Sequence, residues 1–283
     1  MTTVSVITGA GGMGVPTARN LRSDNHIVLF DNSQERLDAA VADLGGAESG
    51  DRTVTAVLGD VTDRTAVDGL FATATGIGPI ASVVHTAGVS PSMGAAEFVT
   101  RINALGTVNV AEALLALDSG AIADGAAIVN VASMAAHLVP AELIPEKLFP
   151  GALTDPEGFI TALLEVYSPF PAEAHSGFAY AVSKGFVKWY SWAQAERFTA
   201  AGIRIVSVSP GSVDTEMGRL EAESGAGALV EGANIPRWGT AQEMADLFTY
   251  CVSDKAGYLT GTDILNDGGV VASMRARAAD AAR

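Results

Sequence analysis

Short runs of β-branched and aliphatic residues alternate with longer stretches of helical periodicity along almost the whole chain. This alternation restricts the possible folds more than any other feature. Val4–Thr8, His26–Asp31, Thr53–Leu58, Ile80–His85, Ala126–Val131, Ile203–Ser209 and Asp263–Asn266 read as strands. Between them, Met13–Leu21, a segment capped at Ser33 and running to about Leu44, Thr62–Thr73, a long stretch ending near Leu117, and Phe178–Ala201 read as helices. Strands that are apolar almost throughout are buried on both faces, and helices between them supply the cover. The expectation is an α/β fold, a doubly wound parallel sheet of about seven strands, in one domain spanning residues 1–283.

One region breaks the rhythm. Residues 134–179 hold six of the eleven prolines, together with Phe149, Phe159, Tyr167, Phe170 and Phe178. Thr154-Asp155-Pro156 is a helix start, with a capping side chain followed by proline in the first turn. Phe159, Ile160, Leu163, Leu164 and Val166 give that helix an apolar face. The segment is therefore read as a structured helical insertion that serves as a lid or as a subunit interface.

Charge excludes two classes of partner. With 17 Lys+Arg against 32 Asp+Glu the net charge is −15, and the four lysines (Lys147, Lys184, Lys188, Lys255) form no cluster. Binding to nucleic acid or to an anionic membrane surface is disfavoured. The chain is 48% hydrophobic, too apolar for an acidic disordered tail. A lone Cys251 fits the cytoplasm, and the N-terminal residues carry no signal-peptide pattern. His26, His85, His137 and His175 are scattered without ligand spacing, so no metal is expected. Lys188 is read as solvated or interfacial, and Arg275, Arg277 and Arg283 as a mobile basic tail.

Gly9-Ala10-Gly11-Gly12-Met13-Gly14 follows the first strand and opens a helix, satisfying G-x-G-x-x-G. Such a turn brings backbone N–H groups and the positive end of the helix dipole against a dinucleotide pyrophosphate. Asp31 ends the second strand, 22 residues after Gly9, where a carboxylate accepts hydrogen bonds from ribose hydroxyls and repels a 2′-phosphate. No arginine stands at positions 30, 32 or 33, so NAD is expected in preference to NADP. A turn aspartate is the plainer reading of Asp31. Asp60, in Leu58-Gly59-Asp60-Val61, either reaches the adenine or closes a turn.

Tyr180 and Lys184 are four residues apart on one helix and share a face. A tyrosine needs help to exchange a proton near neutral pH, and a neighbouring ammonium favours the phenolate. Taken alone, the pair is common. Here, however, Ser133 follows the fifth strand, Asn103 stands in Arg101-Ile102-Asn103, and Pro210-Gly211-Ser212-Val213-Asp214-Thr215 follows the sixth strand. With Leu259-Thr260-Gly261 and Asp267-Gly268-Gly269 near the C-terminus, the chain resembles the short-chain dehydrogenase/reductase family over nearly its whole length outside the insertion.

The resemblance implies a Rossmann-type fold, a catalytic tetrad of Asn103, Ser133, Tyr180 and Lys184, and nicotinamide contacts from Pro210, Gly211, Val213 and Thr215. It places Gly9, Gly11, Gly12, Met13, Gly14, Asp31, Asp60, Val61, Ala87, Gly88, Tyr180 and Lys184 around the cofactor. It also implies a homodimer or homotetramer. Departures are a glycine loop one residue shorter than usual, His85-Thr86-Ala87-Gly88 in place of Asn-Asn-Ala-Gly, and 46 residues between Ser133 and Tyr180. Thr86 is expected to take over part of the missing asparagine's bracing. The insertion and C-terminal tail resemble the 3α-hydroxysteroid dehydrogenase/carbonyl reductase subgroup. The expected activity is NAD(H)-dependent interconversion of a bulky apolar secondary alcohol, such as a steroid, and its ketone. The alternatives are an NADPH-dependent reductase of 3-oxoacyl thioesters and a non-catalytic dinucleotide sensor.

Overall fold

The computed structural model describes residues 2–45, 54–221 and 227–281. Its strands are β1 (Thr3–Thr8), β2 (Asn25–Asp31), β3 (Val54–Leu58), β4 (Ile80–His85), β5 (Ile122–Val131), β6 (Arg204–Pro210), the two-residue β7 (Val213–Asp214) and β8 (Gly239–Thr240), and β9 (Thr262–Asn266). Thr53, expected to start the third strand, lies outside the described residues. Seven of these form one parallel sheet in the order β3-β2-β1-β4-β5-β6-β9, with β7 and β8 paired separately. The chain winds outward from β1 in one direction and from β4 in the other. The strands therefore diverge at β1/β4, and a crevice opens beyond their C-terminal ends.

Alternation along the strands divides the core. Val4, Val6, Val28 and Phe30 pack beneath the helices Arg64–Ile77 and Gly106–Leu115. Ile7, Ile27 and Leu29 face the helices Gly14–Leu21 and Ala241–Val252 on the other side. The first of these faces also carries a polar row in register: Thr8 against His85, His85 against Asn130, Asn130 against Ser207, and Ser207 against Asp263. Hydrogen bonds satisfy most of it, with Thr8 Oγ1 2.7 Å from His85 Nδ1 and Ser207 Oγ donating to Asp263 Oδ1 at 2.6 Å.

Two long helices are interrupted where continuous periodicity was expected. The stretch ending near Leu117 is divided into Ala96–Thr100, a π-helical turn Arg101–Leu105, and Gly106–Leu115. Thr100 and Thr107 hydroxyls donate to the carbonyls of Ala96 and Asn103 there, and the widened turn is where Asn103 sits. The helix expected over Phe178–Ala201 starts earlier, as His175–Ala193, and restarts at Ala195–Ala200 after Gln194.

The insertion is ordered by its own sequence. Asp155 accepts the Gly158 N–H at 3.0 Å and Pro156 opens the helix Pro156–Tyr167. Phe149 is fully buried, edge-on to Phe159, Phe186 and Trp189. The insertion thus packs on the helix His175–Ala193 and extends the main core. The tail expected to be mobile is instead the helix Val270–Ala281, and Arg277 donates to the Gly232 carbonyl at 3.0 Å. Helical backbone bonds and this side-chain anchor hold it. Arg283 lies outside the described residues.

Candidate active site

The glycine loop lies at the β1/β4 crevice and is built for close approach. Gly9 adopts φ +88°, and a Cβ on Gly14 would stand 1.9 Å from the Gly9 carbonyl oxygen. The N–H groups of Gly11, Gly12 and Met13 find no partner among the described residues, and Met13 caps the helix Gly14–Leu21 without a side-chain bond. Unpaired donors at a helix N-terminus suit an anion, so the loop fits a pyrophosphate. Thr86 donates to the Thr8 carbonyl at 2.7 Å and joins the ends of β1 and β4. This is the bracing expected of it.

Asp31 is buried at the end of β2. Its Oδ2 accepts the Ala10 N–H at 2.8 Å, and its Oδ1 accepts the Ser33 N–H at 2.9 Å. Arg36 also reaches Oδ1, with Nε at 3.0 Å and a terminal nitrogen at 2.9 Å. Sequence inspection limited to positions 30, 32 and 33 missed this arginine. It stands in the first turn of the helix Gln34–Asp43, where Ser33 caps its N–H and its guanidinium reaches back to Asp31. Asp60 Oδ1 accepts the Thr62 N–H and hydroxyl, both at 2.8 Å, which closes a turn. Val61 is buried, and its carbonyl accepts Asn109 Nδ2 at 2.9 Å.

Ser133, Tyr180, Lys184 and Asn103 converge beyond β4 and β5. The Ser133 and Tyr180 side chains line the same cleft, and the serine hydroxyl is near enough to influence the phenol. Lys184 Nζ lies 5.9 Å from the centre of the Tyr180 ring and donates to the Val131 carbonyl at 2.9 Å. Asn103 accepts the Val89 N–H at 3.0 Å and donates to the Val89 carbonyl at 3.1 Å and to Ser183 Oγ at 3.2 Å. A Cβ on Gly88 would stand 3.0 Å from Asn103 Oδ1 and 3.2 Å from Lys184 Nζ, so Gly88 marks where the two meet.

Burial raises the Tyr180 phenol, the Glu221 carboxylate adds to that rise, and the Ser133 hydroxyl opposes it. Burial also lowers the Lys184 ammonium to about 8, against the pull of Glu221. Burial thus drives the two proton affinities apart, because it favours the neutral form of each group.

These groups line a cleft of about 660 Å³ that Gly88, Pro210, Gly211, Val213 and Thr215 also border. Met134, Leu138, Met217 and Leu229 supply apolar wall, in keeping with the expected apolar surroundings. Two carboxylates that the sequence did not single out, Glu173 and Glu221, line it as well. Lys188 is not solvated as expected. It turns inward, with Nζ 3.3 Å from His137 Nδ1, and His137 Nε2 meets Asp263 at 2.9 Å, because the helix His175–Ala193 lies over the polar row. Among the described residues no helix is long and apolar enough to cross a membrane.

A glycine loop at the switch point of a parallel sheet, facing a Tyr/Lys/Ser group across a cleft, defines an NAD(P)-dependent oxidoreductase. Residues 3–145 match the family profile described as short chain dehydrogenase, and residues 164–271 match one described as enoyl-(acyl carrier protein) reductase. The chain belongs to the short-chain dehydrogenase/reductase family. It is 30% identical to the oxidoreductase YgfF of Escherichia coli, over 94% of this chain and 99% of that protein. It is 26% identical to the short-chain dehydrogenase/reductase bsc3 of Alternaria brassicicola, over 95% and 96% respectively. The crystal structure of levodione reductase superposes with a TM-score of 0.74 at 23% identity, covering 96% of this chain and 99% of that one, a likeness of fold.

Proposed function

We propose that the chain is an NAD(H)-dependent dehydrogenase that interconverts a bulky secondary alcohol and its ketone. The observation that carries this reading is the convergence of Ser133, Tyr180 and Lys184 on one cleft, with Lys184 Nζ 5.9 Å from the centre of the phenol ring. When bound, the nicotinamide accepts or supplies the hydride. Tyr180 takes the carbinol proton, or returns it to the carbonyl oxygen. Ser133 holds that oxygen by a hydrogen bond. The Lys184 charge offsets what burial does to the phenol. Asn103 anchors the Val89 segment, beside which a water relaying protons from Lys184 would stand.

The cleft supports the substrate size. Its volume and apolar wall suit a molecule of steroid dimensions, and the insertion and C-terminal segment support a likeness to the 3α-hydroxysteroid dehydrogenase/carbonyl reductase subgroup. Asp31 supports NAD, because a carboxylate at the end of β2 would repel a 2′-phosphate. Arg36 favours a second reading, NADPH-dependent reduction, since its half-exposed guanidinium offers a counter-charge to that phosphate. An acyl thioester as substrate suits the cleft poorly, given its two carboxylates. The complete tetrad argues against a non-catalytic sensor. Exposed Trp192 and Tyr258 support self-association, and the single buried thiol of Cys251 suits the cytoplasm.

The test is Tyr180→Phe. With NAD and a panel of bulky secondary alcohols, kcat should fall about 10²–10⁴-fold while the circular dichroism spectrum stays unchanged. Retention of most activity would overturn the assignment. Dissociation constants of NADH and NADPH, measured by fluorescence on wild type and Arg36→Ala, separate the two cofactor readings.

A further inference from the structure

Glu221 sits at the end of the helix Glu216–Glu221, over the cleft that Ser133, Tyr180 and Lys184 line. It is only partly exposed, and its carboxylate forms no hydrogen bond with any described residue. Burial raises its pKa, and the charge of Lys184 opposes that rise. Lys184 itself is committed to the Val131 carbonyl at 2.9 Å. A half-buried carboxylate without hydrogen bonds loses hydration and gains little in return. A donor that enters the cleft would repair this deficit.

The remaining charges in the cleft point the same way. Glu173 lines its rim, Lys184 is its one cation among the described lining residues, and the whole chain carries −15. An anionic substrate would meet two carboxylates and a single ammonium. A donor-bearing neutral or cationic substrate meets an acceptor that no described residue bonds. The apolar wall of Met134, Leu138, Met217 and Leu229 faces the same space.

We propose that Glu221 determines specificity for an amphiphilic secondary alcohol, one with an apolar body and a second group, ammonium or hydroxyl, that donates a hydrogen bond to this carboxylate. The proposal rests on the dehydrogenase reading and adds the chemistry of the substrate's second polar group. It excludes substrates that carry a carboxylate or phosphate at that end.

The experiment uses the full chain with NAD and four matched probes: cyclohexanol, and cyclohexanols carrying an amino, a hydroxyl or a carboxyl group across the ring. Wild type should prefer the amino or hydroxyl compound over cyclohexanol, mainly through KM, and should use the carboxyl compound worst. The relative rates of the amino and hydroxyl compounds identify which donor the site takes. In Glu221→Gln the ratio of kcat/KM for the preferred probe to that for cyclohexanol should fall about tenfold to a hundredfold. Glu221→Asp should recover part of it. Because both probes are measured on the same variant, general damage to the fold cancels in the ratio. Equal use of all four probes, preference for the carboxyl compound, or a Glu221→Gln ratio equal to that of wild type would overturn the proposal while leaving alcohol oxidation intact. Failure of all four with either nicotinamide cofactor would overturn the dehydrogenase reading and this proposal with it.

Discussion

In the proposed reaction Tyr180 gives up a proton in surroundings that oppose it. Its phenol lies deep, and burial together with Glu221 raises its pKa. Lys184 and Ser133 are therefore needed beside it. Spacing alone brings Lys184 there, since residues four apart on a helix share a face. Ser133 arrives from another element, the segment after β5, and no local pattern links it to position 180. His85 shows the same dependence on context. It is buried on the sheet face, its Nε2 has no partner among the described residues, and burial with the Lys184 charge lowers its pKa to about 3. The unfolded chain binds a proton near the reference value of 6.5, so between pH 6.5 and 3 it holds more protons than the folded one. Stability from this group is complete above that window and falls as pH drops through it, by on the order of 4 kcal/mol. Urea titrations at several pH values should show that loss in wild type and a shallower one in His85→Asn.

Among the elements, the glycine loop and the insertion helix are the most legible, because their signals are local. Gly14 has no room for a side chain, so Gly14→Ala must push the loop away from Gly9. NADH binding, followed by fluorescence, should weaken at least about tenfold, since the N–H donors of a phosphate cradle work only in register. Asp155 caps the helix Pro156–Tyr167 through the Gly158 N–H. Asp155→Ala should cost about 1 kcal/mol and lower Tm by about 2 °C in a scanning calorimeter, with kcat unaffected. The helix interruptions at Arg101–Leu105 and Gln194 were not legible. Apolar periodicity continues through both, and the backbone departs from it to satisfy hydroxyl bonds and tertiary contacts.

At the scale of the molecule, the insertion and the sheet share one core. Phe149 and Phe159 pack against Phe186, and Trp189 packs against both Phe149 and Phe186. Unfolding in urea followed by tryptophan fluorescence and by far-ultraviolet circular dichroism should therefore give coincident transitions. A separate early fluorescence change would show that the insertion opens on its own. The net charge of −15 is also a whole-molecule property, and it coexists with a loop suited to an anion because backbone N–H groups carry no formal charge.

Periodicity and the glycine pattern were enough to read the parallel sheet and a loop that suits a pyrophosphate from the chain alone, and the Tyr180/Lys184 spacing put those two side chains on one face. Each is a local pattern, set by steric limits and by which residues share a face within a turn or two of one another. Ser133 and Asn103 were legible only through resemblance to a family, because their meaning lies in what they meet across the fold. Arg36 against Asp31, Lys188 turned toward His137, and Glu221 over the cleft were decided by tertiary structure. A charged side chain takes its role from the burial and partners that packing imposes, and neither is encoded within its own segment.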